Sequence, residues 1–389
     1  MPRLLVSALA LALLAAVTGC GGGGGTGGGG TGAAETQERD CAELDDDEAR
    51  KCYTQEFTAR VDKAEDPVAK VEEITAESRA EGGFLLSNCH GIMHAVGRSY
   101  AGTHDVTLES LMEHLPGSND PGCPAGFAHG VVTAVAPQLD LADPRGSASA
   151  CEEAETRYQR YSCIHGFGHA FMRVHGDELE PALELCRAFG AEAPDCAQGA
   201  FHDYWFAVAG LDDAEPPAET ETDQARLCSE QPDEFVRPCW YRAFVDRRPE
   251  GVVIESWSEI DSLCAGLSGL QREACITAAS VIGPADPRVQ IPLCRGFQGR
   301  EAVACIRGVK AQNLLGQPPE ILLDTIQRCD LFAVSATRNA CYRWLGKTLS
   351  VLTDGAFARE GCRKLGGAMA RRACTAGARS VDEPLVTFS

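Results

Sequence analysis

All nine histidines of this 389-residue chain lie between His90 and His202, and six of them belong to one recurring signature. The signature is Gly, two further residues and His, placed just after a cysteine, and it occurs four times: Gly91 with His94, Gly126 with His129, Gly166 with His169, and Gly199 with His202. His90 and His165 stand four residues before His94 and His169. On a helix, residues i and i+4 lie one above the other, so each of those pairs turns two imidazoles in one direction. That is a metal-ligand geometry, and imidazole suits zinc, copper, nickel and iron. Six such groups could build one site of three or four ligands with spare groups around it, or two three-histidine sites. His90, His94, His129, His165, His169 and His202 are therefore the candidate ligands. A transition metal ion, zinc, copper or iron, is the candidate cofactor. The alternative is that repetition alone placed these histidines and that they serve packing.

The surrounding residues limit the chemistry. The His-Glu-x-x-His pattern of zinc hydrolases is absent, because Gly91 and Gly166 occupy the glutamate position. Asp203, beside His202, is the nearest acid and reads as an orienting group rather than a base. Arg98, Tyr100, Tyr204 and Trp205 could line the same space, whereas His104, His114 and His175 fall in connecting stretches and are expected at the surface. No phosphate loop, dinucleotide fingerprint, Gly-x-Ser-x-Gly elbow or haem-attachment motif occurs. A metal-dependent enzyme and a metal carrier both remain open, and an extracytoplasmic interaction scaffold is the other class.

The elements that must position these histidines are marked by cysteines. Apart from Cys20, eighteen cysteines remain, and sixteen form local pairs: Cys41 and Cys52, Cys151 and Cys163, Cys186 and Cys196, Cys228 and Cys239, Cys264 and Cys275, Cys294 and Cys305, Cys329 and Cys341, and Cys362 and Cys374. So many cysteines in an even number imply a disulfide framework and an oxidising compartment. Cys89 and Cys123 are left over, either bonded to each other or serving as thiolate ligands or a redox pair. The second cysteine of each unit recurs every 30 to 43 residues, the period of a helical-hairpin repeat. In each unit the first cysteine closes an amphipathic segment such as Glu178 to Cys186, and the second is expected to open the next helix, as at Cys275. Gly308 and Gly377 keep the glycine position where no histidine follows, which assigns the glycines to close helix approach.

The expected fold is therefore all-α: a disulfide-stapled array of αα-hairpins, a solenoid with closure toward a toroid left open. This architecture resembles the Sel1-like and tetratricopeptide families, above all secreted members with one disulfide per repeat, a resemblance that spans residues 41–380. It implies helix pairs whose concave face binds protein partners. Cys89-His90-Gly91 is also similar to the zinc element of lanthionine-cyclase toroids, although the order of the elements differs. A Pro-, Gly- and acid-rich stretch at 211–223 divides histidine-rich repeats at 41–210 from histidine-free repeats at 224–380, and the latter offer a surface for a protein partner.

At the amino terminus, Arg3 precedes an apolar run from Leu4 to Val17, the layout of a signal peptide over 1–19. Val17-Thr18-Gly19-Cys20 resembles the bacterial lipoprotein cleavage box. The resemblance implies lipidation of Cys20, a membrane partner through that lipid, and the cell envelope as location. Gly21, in place of Asp, points to the outer membrane. Residues 20–40 carry ten glycines and two threonines between 21 and 32, a flexible tether. Removing the signal leaves 34 basic against 56 acidic residues, a field that repels nucleic acid.

Overall fold

A computed structural model describes residues 40–209, 223–246, 253–284, 286–309, 319–352 and 355–380. The expected signal and nearly all of the tether and of the 211–223 boundary fall outside the described residues. Every regular element among the described residues is helical. The chain begins with α1 (Asp46–Asp62) and α2 (Pro67–Glu81), followed by α3 (Gly83–Thr103), α4 (Cys123–Ala134), α5 (Arg145–Ala150), α6 (Arg157–Val174), α7 (Leu179–Cys186), α8 (Ala193–Ala209) and α9 (Gln224–Glu230). It continues with α10 (Asp233–Asp246), α11 (Trp257–Leu263), α12 (Gly269–Val281), α13 (Pro287–Leu293), α14 (Gly299–Arg307), α15 (Pro319–Gln327), α16 (Ser335–Leu352), α17 (Gly355–Arg363) and α18 (Ala368–Ala378).

From α4 onward the even-numbered helices form the inner layer, with α3 at its head. Each even helix packs on the next through to α18, and α3 packs against α4 at the start of the row. Composition explains the arrangement: α4 is built from small and apolar residues on all sides, and everything from Cys123 to Thr133 is buried. A helix apolar all round belongs in an interior. The short odd-numbered helices lie outside. In α7 the buried residues Leu179, Ala182, Leu183, Leu185 and Cys186 form one stripe beside exposed glutamates. The row passes from α8 to α10 by direct contact, so the repeat continues past the compositional boundary.

Nine disulfides hold these layers. Eight join the predicted local pairs, across sequence separations of 10 to 12 residues. Each closes a loop short enough to stabilise the fold by roughly 2 to 3 kcal/mol through the unfolded chain. The ninth joins Cys89 in α3 to Cys123 in α4, which resolves that pair as a bond rather than ligands. One expectation is corrected: although Cys123 does open α4, the second cysteine of most units does not open its helix. Cys163, Cys239, Cys275, Cys305, Cys341 and Cys374 all lie nearly two turns inside their helices. The true starts are set by turn and capping residues upstream. Thr156 accepts from the Gln159 amide at 3.0 Å, and the Gln159 side chain reaches back to the Glu155 amide at 2.8 Å, which satisfies free donors at the start of α6.

The row also coils back on itself. Tyr158 and Tyr161 of α6 and Ala125 of α4 form a buried cluster with Val351 of α16, packed against Trp344. Arg157 donates to the Ser380 carbonyl at 2.5 Å, across 223 residues of sequence. The array thus closes through contact between α6 and α16.

Candidate metal centre

The histidines are brought together where helix backbones nearly touch. A Cβ added at Gly126 would fall on the His90 carbonyl oxygen, and one at Gly130 on that of His94, so α4 crosses α3 at the level of its histidine pair. The crossing of α6 and α8 repeats this: a Cβ at Gly199 would fall on the His165 carbonyl and one at Gly168 on that of Cys196. Glycine within a helix costs about 0.5–1 kcal/mol relative to alanine. Here it allows imidazoles from different helices to share one space.

All six candidate histidines meet in that space. Ring centroids are 4.9 Å apart for His90 and His94, 5.1 Å for His90 and His129, and 5.2 Å for His94 and His129. His129 lies 4.5 Å from His165 and 5.4 Å from His169, His165 and His169 are 5.0 Å apart, and His94 is 5.1 Å from His169. His202 stands 5.1 Å from His169, with Phe206 against its other side at 4.5 Å. A tetrahedral ion with metal–nitrogen bonds of ~2.0–2.1 Å sets its ligand rings about 5 Å apart, centre to centre. The cluster has that spacing before any ion is considered. His129, His165, His169 and His202 are buried, while His90 and His94 keep part of their surface exposed and so form its open side.

Hydrogen bonds decide which nitrogen of each ring is available. His90 Nδ1 lies 2.9 Å from the Pro121 carbonyl and 3.2 Å from that of Gly122. A carbonyl only accepts, so Nδ1 carries the proton and Nε2 keeps its lone pair. His169 Nδ1 donates to Asp203 at 2.7 Å, which leaves its Nε2 buried without a protein partner. The Tyr161 hydroxyl donates to Gln198 Oε1 at 2.5 Å and lies 3.5 Å from His165 Nδ1, whose Nε2 is likewise unpartnered. A carboxylate, carbonyl or hydroxyl behind the distal nitrogen is the arrangement that orients metal-binding imidazoles. His129 Nε2 and His202 Nδ1 are also buried, and none of these four nitrogens has a partner among the described residues. Unpaired polar atoms in an interior cost about 1–3 kcal/mol each, and four imidazoles aimed into one space share that deficit. A cation accepted by their lone pairs removes it, so the residues present fit a metal.

Electrostatics keep those lone pairs free. Burial pushes His90 down to about 4, against the raising effect of the Pro121 carbonyl, with the Arg242 charge lowering it further. Burial also holds His94, His129, His165 and His202 well below the usual imidazole range, helped by neighbouring imidazoles and by Arg242 or, for His94, Arg98. Neutral imidazole is the metal-binding form.

The sequence-based candidates thus all converge, and Asp203 is the expected orienting group, acting on His169. His104, His114 and His175 are elsewhere and half-buried rather than at the surface. His104 is held by the Tyr100 carbonyl and His114 by the Tyr100 hydroxyl, so Tyr100 serves these outlying rings. Missed from sequence were Arg242 and Asp246 of α10, which form a bidentate ion pair at 2.8 and 2.7 Å with side chains 4% and 3% exposed. Burial raises Asp246 to about 7 against the opposing pull of Arg242. The signal was present: Arg242 lies three residues after Cys239, where three of the four histidine units carry glycine, and Asp246 follows one helical turn later. No protein-family model matches the sequence, and neither a curated protein nor a solved structure matches the chain.

Proposed function

We propose that this protein holds a transition metal ion, zinc, copper or iron, in the buried histidine cluster, as a metal-dependent enzyme or metal carrier of the bacterial cell envelope. The observation that carries the reading is the convergence of five imidazoles from three helices within ligand-atom reach of one another, with His202 of a fourth helix beside them, and with buried ligand nitrogens that no group among the described residues satisfies. The ligands are His90, His94, His129, His165, His169 and His202, with Asp203 fixing the tautomer of His169. Purified without chelator, the full chain is expected to retain tightly bound metal by elemental analysis. His94→Ala and His169→Ala should each lower that content while helicity by circular dichroism is kept. If no metal binds and both substitutions change only thermal stability, the histidines are packing residues, and the interaction-scaffold reading replaces this one.

The chemistry of the amino terminus supports attachment to the envelope through lipid on Cys20, with the glycine-rich segment as tether. Cys20→Ser is expected to move the protein from the membrane fraction to the soluble one, read by fractionation and immunoblot. Retention of the variant on membranes would remove the lipid anchor from the proposal.

A further inference from the structure

The cluster divides into two sets that share one residue. One ligand nitrogen each from His90, His94 and His129 lies within 4.8 Å of the other two, and the same holds for His129, His165 and His169. In the first set the contacts name the atoms: His94 Nε2 is 3.1 Å from His90 Nε2 and 3.3 Å from His129 Nδ1. Ligand nitrogens of a tetrahedral ion with ~2.0–2.1 Å bonds stand about 3.3 Å from one another. His94 Nε2 carries at most one proton and faces two nitrogens, so protons alone cannot satisfy this set. In the second set Nδ1 of His165 and of His169 are held by Tyr161 and Asp203, which leaves Nε2 of each as the ligand atom. His129 Nε2 is buried and has no protein partner either. His129 therefore has one nitrogen in the first set and one to give to the second.

We propose that His129 bridges two transition-metal ions as an imidazolate, with Nδ1 on an ion held by His90 and His94 and Nε2 on an ion held by His165 and His169. The inference rests on the metal-binding reading of the cluster and adds its nuclearity and its shared ligand. Binding of the second ion forms one nitrogen–metal bond at His129 and releases the single ring proton to solvent, with no change of oxidation state. His202, its ring 5.1 Å from that of His169, stands beside the second set but outside the three residues whose ligand atoms lie within 4.8 Å of one another. The charge balance favours the bridge. Two divalent ions in an interior are costly, and an imidazolate between them cancels one unit of that charge.

The test is a titration of copper(II) into chelator-treated full-length protein, followed by electron paramagnetic resonance. The first equivalent should give an ordinary isolated copper signal. The second should bind and yet reduce the integrated signal, because an imidazolate couples the two spins. Two bound equivalents with undiminished signal would mean separate sites, and saturation at one would mean a single ion. Either result overturns the bridge while leaving metal binding intact. Absence of copper binding would instead remove the metal reading itself. His94→Ala should retain one uncoupled copper, and this readout, like the wild-type titration, stands even if His129→Ala does not fold.

Discussion

Acidified from neutral pH toward 4 in the presence of chelator, the protein should lose stability steeply. Five imidazoles, those of buried His129, His165 and His202 and of partly exposed His90 and His94, are held below their ordinary value, first of all by desolvation within the cluster. In the unfolded chain they titrate near ~6.5. Below that pH the unfolded state binds protons that the folded state refuses, so stability rises with pH across the window and falls on acidification. The cost begins as pH drops through about 6.5 and is complete for His90 near its folded value of about 4. For His90 alone it amounts to roughly 3 kcal/mol at the low end, at 1.36 kcal/mol per unit. Four further rings act in the same direction, against a typical domain stability of about 5–15 kcal/mol. Asp246, raised to about 7, acts the other way over the same range as one carboxyl opposed to five rings. Melting temperatures at intervals between pH 7 and pH 4 measure the effect. A flat profile would mean that the imidazoles are solvated in the folded protein.

Alanine at Gly199 should be among the most damaging single substitutions in the chain. Its Cβ would come within 2.0 Å of the His165 carbonyl oxygen, a backbone atom that cannot swing aside, so α6 and α8 must separate. Overpacking of this kind costs about 1–3 kcal/mol and sometimes more. The sign is diagnostic, because within a helix glycine to alanine normally stabilises by about 0.5–1 kcal/mol. Separation of the helices also draws His202 away from His165 and His169, so bound metal should fall together with the melting temperature. Gly102→Ala supplies the contrast. That glycine lies in the last turn of α3 with nothing within 4 Å of the added carbon, and the change should be neutral or stabilising. Equal melting temperatures for the two variants would remove the close crossing as the device that assembles the cluster.

Much of this was legible in the residues. Cysteine spacing predicted eight disulfides because each is local, joining the end of one helix to the body of the next. The histidine register predicted convergence because equivalent positions in stacked repeats must face the same side. The ninth disulfide stayed open, since two leftover cysteines carry no spacing rule, and only the approach of α3 to α4 pairs them. Helix starts were misplaced because cysteine has no capping role, while Thr156 with Gln159 carried the real signal. Closure of α16 onto α6 was not readable at all. It depends on small rotations accumulated over several repeats, and Tyr158 and Trp344 look like ordinary packing residues until those helices meet. Arg242 and Asp246 were missed for a related reason. They belong to the histidine-free half by composition, yet the coiling of the row carries their charge to the histidines.

The nine disulfides share a property beyond their stability. Counted from the amino terminus, the bonded cysteines pair first with second, third with fourth and so on, from Cys41 with Cys52 to Cys362 with Cys374, and no bond crosses or encloses another. A dithiol oxidase meeting the nascent polypeptide as it emerges would therefore form the native set in order of appearance. Non-native pairs would be confined to intervals in which an unpaired thiol waits for its successor. The longest wait is that of Cys89, whose mate follows 34 residues later and whose bond joins the two helices that carry His90, His94 and His129. Reshuffling by thiol–disulfide exchange thus has little to correct, and the demand on an isomerase during maturation is concentrated at the one junction where the histidines begin to assemble.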